Sequence, residues 1–267
     1  MRNIIQLLGL SLILLFGSFS PLKRSEYKVK TVVIDAGHGG KDSGTVGAFS
    51  KEKDIALKIS LEVGSIINKY IKDVKVIYTR SDDTFIPLEE RAQIANRNGA
   101  DAFISIHCNS LPASTTLATK TRIYGTETFV MGLHTSEANL EVAKRENSVI
   151  MLEENYEERY EGFDPKSPES HILFSLYQNA YLENSLMLAN NIETQFKDRV
   201  GRHSRGVKQA GFWVLYRTSM PSVLVEVGFL SNANEEKYLN DPVGQSYIAS
   251  GIFRAFRDYK NNIESIN

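Results

Sequence analysis

Short apolar runs and longer stretches of helical spacing alternate along this chain. Thr31–Ile34 (TVVI), Val74–Tyr78 (VKVIY) and Ala102–Ile106 (AFISI) are brief and rich in β-branched residues, which reads as core strand. Between the first two, Ile59, Val63, Ile66, Ile67 and Tyr70 recur on one face of a helix expected over about Lys53–Ile71. A second helix is expected over Leu88–Arg97, stopped by Asn98-Gly99. This order predicts an α/β fold, with a mostly parallel (mixed) sheet of about five or six strands built from βαβ units and flanked by helices.

Further along, a strand is expected at Arg122–Val130 after a Ser/Thr-rich loop. The texture then changes over 133–167, where Glu137, Glu141, Glu146, Glu153, Glu154, Glu157, Glu158 and Glu161 outweigh Lys144, Arg145 and Arg159. That stretch reads as an acidic helical insertion. A long helix is expected over Glu169–Asp198, a strand or loop at Phe212–Leu215, a core strand at Ser222–Glu226 and a closing helix over Val243–Tyr259.

The amino terminus changes the picture of location. Arg2, an apolar core from Ile4 to Phe16 and small residues before Pro21 have the layout of a secretory signal peptide over residues 1–20, with an uncleaved anchor as the alternative. The mature domain then spans about 28–262, exported and without a stable membrane span. A net charge of −1 gives no electrostatic case for nucleic acid. Cys108 is the sole cysteine, so no internal disulfide is possible. A monomer is expected.

Candidate chemistry collects at strand ends. In an open parallel sheet, ligands bind beyond the carboxyl ends of the strands. His38 follows the first strand in "IDAGHGG", His107 ends "AFISIH", and Glu226 ends "SVLVE"; Glu52 opens the first helix on the same rim. Two histidines and one carboxylate suit an open zinc site, and a remaining carboxylate can take a proton from water. The economical assignment is His38, Glu52 and His107 as ligands and Glu226 as base, although no compact His-Glu-x-x-His pattern is present.

These same stretches carry a resemblance. "VVIDAGHGGKDSGTVG", "EKDIALKIS", "TRSDDTFIPLEERAQIANRNGADAFISIHCNS" and "GFWVLYRTSMPSVLVEVGFLSNANEEKYL" are similar to the zinc-dependent N-acetylmuramoyl-L-alanine amidases of the cell-separation type. The resemblance implies a hydrolase acting on peptidoglycan in cell-wall turnover and cell division, in the periplasm or outside the cell. It implies one Zn2+ per chain on His38, Glu52 and His107, with Glu226 catalytic. It further implies that 133–167 is a lid whose glutamate sits on the zinc until an activator protein at the division site relieves it. Glu153 and Glu154 in "NSVIMLEEN" are the candidates for that glutamate. The rival readings are a zinc carboxypeptidase acting on the stem peptide and a non-catalytic peptidoglycan-binding regulator.

Plainer readings stand beside these. His38 and His107 could be satisfied by backbone, Glu52 could favour a helix start through the dipole, and the insertion's glutamates could form a solvated face. Glu226 is harder to dismiss, since a buried carboxylate without a partner is costly. Cys108 adjoins His107, but strand alternation sends the two side chains to opposite faces. His134, His171 and His203 are expected at the surface. The run Lys197, Arg199, Arg202, Arg205, Lys208 reads as a solvated basic face or as an attractor of stem-peptide carboxylates. Arg91 is expected either to orient Glu52 or to give structural support.

Overall fold

The computed structural model describes residues 27–175 and 180–266; the leader-like residues 1–20 lie outside them. Six strands form one sheet in the order β2-β1-β3-β6-β4-β5, from β1 (Thr31–Ala36), β2 (Lys75–Tyr78), β3 (Ala102–Asn109), β4 (Thr126–Met131), β5 (Ser204–Ala210) and β6 (Ser222–Phe229). β2, β1, β3 and β6 pair in parallel, β4 meets β6 antiparallel, and β5 is parallel to β4. The sheet is therefore mixed, as expected.

Alternation along the strands sorts side chains onto two faces. Val32, Ile34, Ile104, Ile106, Cys108, Val223 and Val225 face one core, covered by helices α1 (Glu52–Tyr70), α7 (Leu182–Gln195) and α10 (Pro242–Ile266). Val33, Phe103, Phe129 and Leu224 face the other, covered by α2 (Leu88–Arg97), α4 (Glu137–Asn147) and the turn α8 (Trp213–Tyr216). The stripe of α1 buries Ile59, Val63 and Ile67, whereas Tyr70 is exposed.

Several expectations are corrected. A short helix α3 (Leu117–Arg122), N-capped by Thr116 Oγ1, precedes β4, so the strand starts four residues later than expected. The single helix over 169–198 is instead α6 (Pro168–Ser175) and α7, with turn geometry at Ala180 and Tyr181; the residues between lie partly outside those described. Phe212–Leu215 is helical at Trp213–Tyr216. β5 and α9 (Ala233–Asn240) had no sequence counterpart. The insertion holds α4, a 3-10 turn at Ser148–Leu152 and α5 (Tyr156–Arg159). Among the described residues no helix is long and apolar enough to cross a membrane.

Candidate metal centre and active site

The second face of the sheet also carries the polar groups. Asp35, Ser105, His107, Glu226 and Glu127 occupy the same alternation as Val33, Phe103, Leu224 and Phe129, one or more positions nearer the rim. His107 is directly across from Glu226 in the β3–β6 pair, and Glu226 from Glu127 in the β6–β4 pair. Because β4 runs the other way, the start of β4 lies beside the ends of β3 and β6.

His38 follows β1 with φ +62, a left-handed conformation that costs a histidine free energy and marks a held position. Two buried arginines hold it. Arg91 donates to Asp35 Oδ1 (2.9 Å), Ala36 O (2.8 Å), His38 O (2.8 Å) and Ile86 O (2.8 Å), while Arg80 donates to Ala36 O and Gly37 O. Arg91 thus gives support to the His38 loop rather than to Glu52. Gly37 is required: a Cβ there would lie 2.5 Å from His107 Cε1. At Gly44, φ is +60 and a Cβ would meet both His38 and Glu52.

The four donors of the centre are His38, Glu52, His107 and Glu146, each buried, with one ligand atom apiece within 4.8 Å of the others. His38 Nε2 is 3.0 Å from Glu52 Oε1 and 3.1 Å from His107 Nδ1. His107 Nδ1 is 3.2 Å from Glu52 Oε1 and 3.0 Å from Glu146 Oε2. Asp42 Oδ2 lies 2.7 Å from His38 Nδ1, which commits the proton there and leaves the Nε2 lone pair for the centre. Glu52 is fixed by Thr45 N–H and Cys108 N–H, each 2.8 Å from a carboxylate oxygen.

Glu146 Oε2 has no hydrogen-bonding partner although it is buried, and it lies 3.3 Å from His38 Nε2. Lone pairs facing one another without enough protons are the chemistry of a cation site. The protonation balance reflects this. Burial opposes charge on both rings, yet Glu52, then Asp42 and Glu146, hold His38 well above the usual histidine range, and Glu146 with Glu52 pushes His107 up to about 9. Burial would raise Glu52, but the His38 charge draws it down to about 2. The donor set fits a divalent ion.

Glu226 is wholly buried beside this cluster. Arg145 Nη2 lies 3.3 Å from Oε1, and Oε2 has no partner. Burial, followed by the charge of Glu146, pushes its carboxyl well above the usual range. A carboxyl so raised holds a proton more readily than a free one, which suits a group that takes up and passes on a proton. Cys108, as expected, turns into the opposite core and is buried.

The insertion reaches the centre through Glu146 and not through Glu153 or Glu154, which corrects the expected pair. Glu153 is turned to Leu88 N–H (3.3 Å), Tyr160 O–H (2.8 Å) and Arg159 Nη1 (2.8 Å), and Glu154 is exposed. Helical phase explains the difference. Asn139, Leu140, Val142, Ala143, Glu146 and Asn147 share the buried face of α4, so the stripe itself carries Glu146 to the rim. A charged residue on an otherwise buried helical stripe was the available signal. His171 also departs from expectation: it is buried, with Nε2 3.0 Å from Pro165 O, while His203 is exposed.

Comparison with known proteins places the chain in a family. The family described as "N-acetylmuramoyl-L-alanine amidase" matches residues 32–258. The chain is 34% identical over 246 residues to the N-acetylmuramoyl-L-alanine amidase AmiA of Escherichia coli (strain K12), covering 91% of this chain and 80% of that protein. Among solved structures, the catalytic domain of the amidase CwlV from Bacillus (Paenibacillus) polymyxa var. colistinus is similar with TM-score 0.61 and 33% identity, covering 87% of this chain and 98% of that one. The CwlD amidase from Clostridioides difficile, solved in complex with the GerS lipoprotein, is similar with TM-score 0.62 and 26% identity, covering 87% and 99%.

Proposed function

Because the chain belongs to the N-acetylmuramoyl-L-alanine amidase family, we propose that it hydrolyses the amide between the lactyl group of N-acetylmuramic acid and the first L-alanine of the peptidoglycan stem peptide, using one zinc ion on His38, Glu52 and His107. The observation that carries this is the convergence of those three donors beside the partnerless Oε2 of Glu226. When bound there, zinc supplies Lewis acidity, polarising the amide carbonyl and lowering the pKa of a water. The chain's own residues do the rest. Glu226 takes the proton of the attacking water at Oε2 and passes it to the departing alanine nitrogen. Asp42 keeps His38 in the ligating tautomer.

In the same reading the described conformation is the closed form. Glu146 would be a fourth donor to the bound ion beside His38, Glu52 and His107, and Arg145 covers Glu226. Opening is assigned to an activator protein at the division site; that the similar CwlD amidase forms a complex with a lipoprotein supports a protein partner for this fold. The leader-like residues 1–20 support export to the periplasm, with cell-wall turnover and daughter-cell separation as the setting.

The test is mass spectrometry of soluble products from purified sacculi treated with the zinc-loaded chain and with its Glu146→Ala variant. Free stem peptides beginning with L-alanine, released faster by the variant, are expected. Peptides trimmed at the other end would identify a carboxypeptidase instead, and no product from either form would refute the enzymatic reading.

A further inference from the structure

Beside the metal centre runs a groove of about 730 Å³, between α4, the segment 109–115 and β5. One of its walls is unused by the chemistry above. Glu127, buried and directly across the sheet from Glu226, accepts hydrogen bonds from Asn109 Nδ2 (3.0 Å), Lys208 Nζ (3.0 Å) and Arg205 Nε. Two cations therefore meet one carboxylate, so this three-residue cluster on the β5 side carries one positive charge in excess. Arg205 lines the groove, stacks over Phe229 at 5.3 Å, and has no hydrogen bond on either Nη within the described residues.

The backbone has a special form that brings these cations together. Residues 205 and 208 are three apart, so plain alternation would send them to opposite faces. Between the pairs Thr126↔Ser204 and Thr128↔Val207, β5 carries one residue more than β4, and Gly206 takes φ +83. This bulge returns Lys208 to the face of Arg205, the re-aiming that bulges perform beside sites. Neutralising Glu127 needs one cation; the second cation and the bulge are surplus to that need. Glu137 and Glu141 of α4 line the same groove, so the closed form already sets carboxylate-bearing side chains opposite this wall.

We infer that Arg205, held by Glu127 and backed by Lys208 through the Gly206 bulge, is the subsite for a free carboxylate on the peptide side of the scissile amide. The inference rests on the amidase reading. A guanidinium with its Nη pair unengaged suits a carboxylate, which it can bind with two parallel hydrogen bonds. Amidation of that carboxylate removes the charge and one acceptor.

The test compares two soluble N-acetylmuramoyl peptides that differ only in whether the α-carboxylate of the second residue is free or amidated. Both are offered to the zinc-loaded full chain and to the same chain carrying Glu146→Ala, with thermal melts to verify folding. The expected result is a preference for the free acid of about tenfold or more in kcat/KM, expressed in KM. Arg205→Gln should erase most of that preference by raising KM for the free acid, and Arg205→Lys should retain part of it. Absence of a preference, or equal losses on both peptides in Arg205→Gln, would overturn the subsite and leave the amidase reading intact. No cleavage of either peptide by either chain would overturn both.

Discussion

Removing the positive charge beneath the His38 loop tests how the site is held. Asp35 and Arg91 are essentially inaccessible to solvent, and their pair is satisfied on all sides: Asp35 also accepts from Thr79 Oγ1 and Ser105 Oγ, both at 2.6 Å. Arg91→Met strands that carboxylate without its paired charge and frees the carbonyls of Ile86 and His38, while Ala36 O keeps Arg80 Nε. Breaking a buried pair from one side costs about 3–5 kcal/mol, a large part of the ~5–15 kcal/mol that a domain has. Asp35→Asn is milder, about 1–3 kcal/mol, because Arg91 keeps its three carbonyl acceptors. The double variant should therefore cost less than the sum, with a coupling of at least ~1.5 kcal/mol. Urea unfolding of the metal-free chain, followed by the fluorescence of its one tryptophan, buried Trp213, measures all four corners. Additivity within ~0.5 kcal/mol would refute the argument. The pH dependence gives a second check. Burial would raise the Asp35 carboxyl, but the Arg91 charge and the Ser105 and Thr79 hydroxyls hold it below its usual 3.8. Its contribution is thus complete above that value and fades as pH falls below it, so the gap between wild type and Asp35→Asn should narrow in acid. Since Arg91 also bonds the carbonyl of a strained His38, Arg91→Met should weaken zinc binding in a competition titration.

Other outcomes follow from the same geometry. Glu226→Gln should retain zinc and lose turnover, whereas His38→Ala should lose zinc; metal analysis beside the sacculus assay separates them, and full turnover in Glu226→Gln would remove that residue from the mechanism. Glu146→Ala should raise the activity of the full chain while Glu153→Ala does not. Glu153→Ala should instead lower stability by about 1–3 kcal/mol, because it leaves the buried Tyr160 hydroxyl without its acceptor; a rise in activity from Glu153→Ala alone would contradict the assignment of the plug. Glu193 is buried against Thr126, Thr128 and Ser204, and its burial raises its carboxyl pKa despite those hydroxyls. The folded state then binds the proton more tightly than the unfolded one, and stability declines as pH rises above 4.5. Glu193→Gln should therefore melt higher than wild type at neutral pH and lose that advantage in acid.

The sequence made the centre legible where the fold itself puts chemistry at strand ends. His107 and Glu226 each close an apolar run and His38 follows one, and a parallel sheet leaves such positions on one rim. Glu146 was hidden by its acidic surroundings: eight glutamates in one stretch look like a solvated face, and only the helical phase of Asn139, Val142 and Ala143 separates the buried one from the rest. β5 was hidden for another reason. It is an edge strand with Arg205, Lys208 and Gln209 along it, and edge strands carry charge to prevent further pairing. The Gly206 bulge also breaks the two-residue period by which a strand is recognised. The helix expected through 180 and 181 followed a continuous pattern of spacing, and the turn there was not marked by glycine or proline.

The insertion that carries Glu146, the proposed stopper of the cleft, is also part of the core. Val142, Ala143, Val149, Ile150, Tyr160 and Phe163 share one cluster with Phe103, Phe129, Phe212 and Leu224 of the sheet and its rim. Lifting α4 from the cleft consequently brings apolar surface into water, and apolar exposure raises heat capacity. The equilibrium between closed and open enzyme should then be curved in temperature, with a van't Hoff plot that bends rather than runs straight. If the insertion closes the site as proposed, resting activity is governed by the same hydration thermodynamics as melting, and a change in growth temperature should retune it without any change in the four clustered donors.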